Sequence, residues 1–115
     1  MNKYLNRYNE SIKTLEQEFK ENGYDVLAKM HIAAEIDSIL DNYDEFEKIK
    51  LTDKQQEKII DITATIYMNL EDDEGFYNLT KAVMFTLLEY KTYKSFIKNW
   101  KNNEYEVWDK ITWRL

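Results

Sequence analysis

Ten carboxylates in two short blocks without a base are the side chains of this sequence best supplied to do chemistry. Glu35, Asp37, Asp41, Asp44, Glu45 and Glu47 form the first block. Glu71, Asp72, Asp73 and Glu74 form the second, ahead of Gly75 in the stretch NLEDDEGFYNL. Such acids can hold a cation, begin a helix, or present a surface that imitates a nucleic-acid backbone. A calcium loop needs D-x-[DN]-x-[DN]-G and a distant Glu, so that oxygens wrap the ion. Asp72, Glu74 and Gly75 do not fall into that spacing, and DNYDEFEK at 41–48 lacks the glycine at its sixth position. Consecutive acids on a helix also splay around its axis, so no metal or other cofactor is expected. A helix start suits residues 71–74 better, because negative side chains in a first turn complement the positive end of the helix dipole. A helix start is still an acidic surface, so the imitation reading stands beside it.

Other catalytic constellations are scarce. His31 is the single histidine, in KMHIAAE, and Glu35 lies one helical turn on. A general acid or base needs a nucleophile or reacting site beside it. The chain has no cysteine, no G-x-S-x-G, no phosphate-binding glycine loop and no H-E-x-x-H. A di-iron bundle wants Glu-x-x-His pairs, and position 28 is Ala. His31 reads as a structural histidine and the protein as a non-enzyme.

Charge is zoned. The chain carries 22 acids and 16 bases, net −6. The two acidic blocks hold ten of those acids, so the remainder is net +4. Asp37, Asp41 and Asp44 step by four and three, one face of a helix. Lys91, Lys94, Lys98 and Lys101 step by three, four and three, one face of another. Within YKTYKSFIKNWK, residues 90–101, lysines alternate with Tyr90, Tyr93, Phe96 and Trp100, as in proteins that hold single strands. Those aromatics also fall on an apolar face over which lysine stems can lie. The acidic total opposes non-specific nucleic-acid binding.

These residues must be held by helices. With no proline and two glycines in 115 residues, the chain has few breakers. Leu5, Tyr8, Ile12, Leu15 and Phe19 form one stripe of a first helix, and Asn22-Gly23 is a candidate stop. Asp25 can cap a second helix with Met30, Ala33, Ile36, Leu40 and Tyr43 inward; Phe46 and Ile49 extend it or lie in the turn after it. Thr52 and Gln55 have capping-box spacing and open a third helix through Ile59, Ile62, Ile66 and Leu70. IIDITATIY also alternates like a strand, but the cap and the length of the segment favour helix. A fourth helix is expected from about Phe76 to Trp100, with Leu79, Val83, Leu87, Tyr90 and Ile97 on its inner face. AVMFTLLEY is apolar nearly all round, so it should be the most buried stretch. Asn102-Asn103 ends it. The tail EYEVWDKITWRL fits a helix or a strand, and its two tryptophans and terminal Leu115 suggest that it docks.

The expectation is an all-α protein of four main helices, bundle-like, forming one domain over residues 1–115 with a short C-terminal element. There is no apolar run of membrane-spanning length, and MNKYLNRYNE lacks the apolar core of a secretory signal, so a cytoplasmic location is expected. Lysine outnumbers arginine 14 to 2, and Lys, Asn, Ile, Tyr and Phe make up 49 residues, the mark of an AT-rich genome such as that of a low-GC bacterium, its phage or its plasmid. The function expected is that of a small acidic inhibitor that binds another protein stoichiometrically, in the style of anti-CRISPR proteins and DNA mimics. Its acidic blocks would occupy a basic surface that normally holds phosphates. An immunity or antitoxin-like protein, a homodimer joined through its aspartate and lysine faces, and a regulator using the lysine–aromatic segment on nucleic acid are the alternatives.

Overall fold

Side-chain caps set where several helices of this protein begin. The computed structural model describes the backbone of residues 2–11, 15–70 and 76–115, and the side chains of residues 2–10, 26–70 and 77–115. Buried Asn2 opens α1 (Lys3–Ser11): its Oδ1 accepts the Leu5 N–H at 2.8 Å, and its Nδ2 donates to Gln56 Oε1 at 3.0 Å. The capping box expected at Thr52 and Gln55 is present and starts α3 (Asp53–Met68): Thr52 Oγ1 accepts the Gln55 N–H at 3.2 Å, and Gln55 Oε1 accepts the Thr52 N–H at 2.9 Å. Thr92 and Asn103 cap α5 (Tyr93–Asn102) and α6 (Glu104–Trp113). With α2 (Leu15–Asn42) and α4 (Phe76–Glu89), six α-helices and no strand lie among the described residues.

Three boundaries differ from those read in the sequence. Asn22-Gly23 does not stop a helix, and Asp25 does not start one, because α2 runs through both. A glycine inside a helix costs only about 0.5–1 kcal/mol relative to alanine, which packing along 28 residues outweighs. Leu15 and Phe19 belong to α2 rather than to the first helix; their side chains, and Ile12, lie outside the described residues. The long fourth helix is two. Lys91 takes φ 64°, Thr92 is extended, and α5 sets off again from the Thr92 hydroxyl, which accepts the Ser95 N–H at 3.1 Å. Ser95 Oγ in turn donates to the Tyr90 carbonyl. This bend lets Phe96 become fully buried edge-on to Tyr90, ring centroids 5.8 Å apart. The tail is helical: α6 buries Val107 and Ile111.

Helix α2 is the scaffold. Its second half buries Ala28, Met30, Ile32, Ala33, Ile36 and Ile39, and it packs on α1, α3 and α4. Among the described residues α4 is deeply enclosed, burying Leu79, Ala82, Val83, Met84 and Leu87. The strand-like alternation of IIDITATIY is helical in α3, with Ile59, Ile60, Ile62, Ala64 and Ile66 in the same core. α6 closes the core against α4 and α5. No described helix is long and apolar enough to cross a membrane.

Candidate functional site

The acidic face is built at the C-terminal end of α2 and on the turn after it. Asn42 ends the helix with its Nδ2 donating to the Ser38 carbonyl at 2.8 Å. Tyr43 is extended (φ −122°, ψ 113°), and residues Asp44–Lys48 form one 3-10 turn. A 3-10 geometry places side chains three apart above one another. Phe46 and Ile49, three apart, are both buried. Phe85 of α4 receives Tyr43 and Phe46 edge-on, at 5.6 and 5.8 Å between centroids. With Phe46 pinned inward, Asp44, Glu45 and Glu47 face solvent.

Asp37 and Asp41 are exposed on α2, whereas Glu35 is half-buried. Asp44 was expected on the same helix face as these two; it sits instead on the turn, beyond the end of α2. Partial desolvation of the Asp37 carboxyl, and then Asp41 one turn away, raise its pKa above the ordinary aspartate value. Among the described residues, the ion pairs are Lys29–Asp61, at 3.4 Å, and Glu89–Arg114. Neither involves the acidic face. Glu71, Asp72, Asp73 and Glu74, and with them the helix start expected there, lie outside the described residues. Among the described residues no group of three or more His, Asp or Glu side chains is clustered as metal ligands would be.

Two features border this face. On one side Lys81 of α4 lies over the rings of Tyr43 and Tyr77, 5.3 and 5.6 Å from their centroids. The ammonium lowers the pKa of the Tyr43 hydroxyl, and that of Lys81 itself is raised. Lys81 also lines an open cleft of about 330 Å³ with Phe85, Arg114 and Leu115. On the other side, the sign of the charge reverses within the 3-10 turn, from Glu47 to Lys48. A second open cleft, of about 310 Å³, follows, lined by Lys48, Ile49, Lys50, Gln55, Lys91, Thr92, Tyr93 and Lys94. The sequence pointed to Lys91 and Lys94 only as part of a continuous helix face. Lys91 is not on that helix; Lys94, Lys98 and Lys101 are exposed along α5. Nothing in the sequence links Lys48 and Lys50 to Lys91 and Lys94; the fold brings the four to one cleft.

His31 is half-buried, its ring meeting Tyr8 of α1 edge-on at 6.1 Å. A polar cluster nearby joins three helices: the Tyr4 hydroxyl donates to Asp61 Oδ1 at 3.0 Å, and Lys29 pairs with the same oxygen. Burial, then Asp61, raises the Tyr4 pKa, which keeps the phenol protonated as that donor. This cluster ties α1 and α2 to α3. Exposed aromatics gather on α6, where Tyr105 is 84% and Trp113 87% accessible. The tail docks through Val107 and Ile111, with the terminal Leu115 packed against the core as expected, while Trp113 stands out from the surface. No protein-family model, curated protein or solved structure matches the chain.

Proposed function

We propose that this protein is a non-catalytic binding module whose acidic face, Glu35, Asp37, Asp41, Asp44, Glu45 and Glu47, docks on a basic surface of another protein. The observation that carries the reading is the concentration of exposed charge of one sign on that face. Five of its six carboxylates are exposed, none of the six is in an ion pair with a described residue, and Asp37 and Asp41 repel each other one turn apart. Folding alone favours interspersed charges, so an unrelieved patch suits a cationic partner. There it would speed encounter and fix orientation. A protein that handles nucleic acid supplies such a surface, and occupying it would make this chain a stoichiometric inhibitor in the manner of a DNA mimic, as expected of a phage or mobile-element protein. An immunity protein that neutralises a basic toxin would use the same physics and differ only in its target.

Affinity capture with the tagged protein from a low-GC bacterial lysate, at low and at high salt, tests the reading. A basic, nucleic-acid-handling protein retained at low salt and released at high salt is the expected result. Recovery of only further copies of the chain would assign the face to self-association, in a two-fold contact with the lysines of α5.

A further inference from the structure

The lysine-lined cleft is independent of the acidic face. Four exposed lysines line it from two segments of chain: Lys48 at the end of the 3-10 turn with Lys50 in the link to α3, and Lys91 with Lys94 at the α4–α5 bend. Its lining contains no carboxylate. Glu47 and Asp53, the acids nearest in sequence, do not line it, and none of the four lysines is in an ion pair with a described residue. Like charges gathered without a counter-ion repel, and an anion between them removes the cost. The backbone adds to this field. Thr92, Tyr93 and Lys94, the cap and first two residues of α5, form part of the wall. First-turn N–H groups have no carbonyl partner within their own helix, and the dipole there is positive. The Thr92 hydroxyl takes the Ser95 N–H, the third of that first turn.

We propose that this cleft binds a small ligand carrying two or more linked phosphoryl groups, of the pyrophosphate or nucleoside-polyphosphate kind. Lysine holds phosphate as a flexible point charge. A phosphoryl group carries roughly −1.5 to −2 near neutrality, so two of them balance four ammonium ions. The cleft's 310 Å³ would take a phosphate chain of that length. Tyr93, half-buried, is the single aromatic side chain in the lining, so the site offers little for a base to stack on and recognises the phosphates.

Calorimetric titration of the full chain with sodium pyrophosphate in a low-chloride buffer tests this, with nucleoside triphosphate and a single-stranded oligonucleotide as parallel probes. Pyrophosphate and the triphosphate should both bind. The double substitution Lys50→Gln with Lys94→Gln should weaken binding about tenfold or more. Lys98→Gln with Lys101→Gln, an equal loss of charge on the same helix outside the cleft, should leave it nearly unchanged. Amide chemical shifts of the unaltered protein give a second readout that does not depend on any variant folding: pyrophosphate should move residues 48–50 and 92–94 most. No binding of pyrophosphate, equal weakening by both double variants, shifts spread evenly over the lysine-bearing surface, or binding of the oligonucleotide alone would each overturn the proposal.

Discussion

Thr80, on α4, carries a buried hydroxyl with no hydrogen-bond partner among the described residues. Its neighbour down the helix, Thr86, resolves the same problem by donating to the Ala82 carbonyl at 2.8 Å. An unsatisfied buried hydroxyl costs about 1–3 kcal/mol, and valine has nearly the same shape without it. Thr80→Val should therefore raise stability by about 1 kcal/mol in denaturant unfolding; a loss would mean that the hydroxyl has a partner. Asp37 makes a prediction in pH. Its pKa is raised, by partial burial first and Asp41 second, so the folded chain holds this proton more tightly than the unfolded chain does. The resulting stability is complete below the ordinary aspartate value and is lost as pH rises through the raised one. Asp37→Asn has no such loss. Its melting temperature relative to the unaltered protein should rise as pH climbs from below the ordinary aspartate value through the raised one, and then stay level. A difference that is constant across that range would contradict the repulsion argued for the acidic face.

At the level of elements, helix identity was legible wherever periodicity and caps agreed. The Thr52–Gln55 box, the all-round apolarity of α4 and the buried row of α3 follow from residue types alone. The failures are all at ends. Tyr90 and Ile97 lie seven residues apart, so they fit one helical stripe whether or not the chain bends between them. The bend was signalled by the Thr92–Ser95 spacing, a hydroxyl cap in front of an otherwise continuous apolar pattern. The tail likewise announced itself by Asn103 and Glu106: Asn103 Oδ1 accepts the Glu106 N–H at 3.4 Å, and its Nδ2 donates to Glu106 Oε2 at 2.7 Å. Asn103→Ala should cost about 0.5–2 kcal/mol, read as a lower midpoint in urea. Gly23 is the opposite case, a breaker that α2 overrides. Gly23→Ala should gain about 0.5–1 kcal/mol, and a destabilised variant would show that the backbone there is approached too closely for a methyl group.

At the scale of the whole molecule, the acidic block at 35–47 was visible as a run of one sign, but its shape was not. The sequence put three aspartates on one helix; the fold gives two on α2 and moves the third to a turn anchored by Phe46. The face is therefore a corner, formed by a helix end and the turn that leaves it. The lysine cleft was hidden for a related reason, since its four cations meet only through tertiary packing of segments about forty residues apart. A charged corner that contributes little to folding should be removable without harm, because exposed charges are each worth under about 1 kcal/mol to stability. The triple substitution Asp37→Asn, Asp41→Asn, Asp44→Asn removes its centre while preserving shape. The most direct test of the docking face is the yield of captured partner for this variant against the unaltered protein at low salt, with the melting temperature of each recorded. The account predicts that capture is lost while the melting temperature is held or slightly raised. Capture at full yield, or a variant that unfolds, would contradict it.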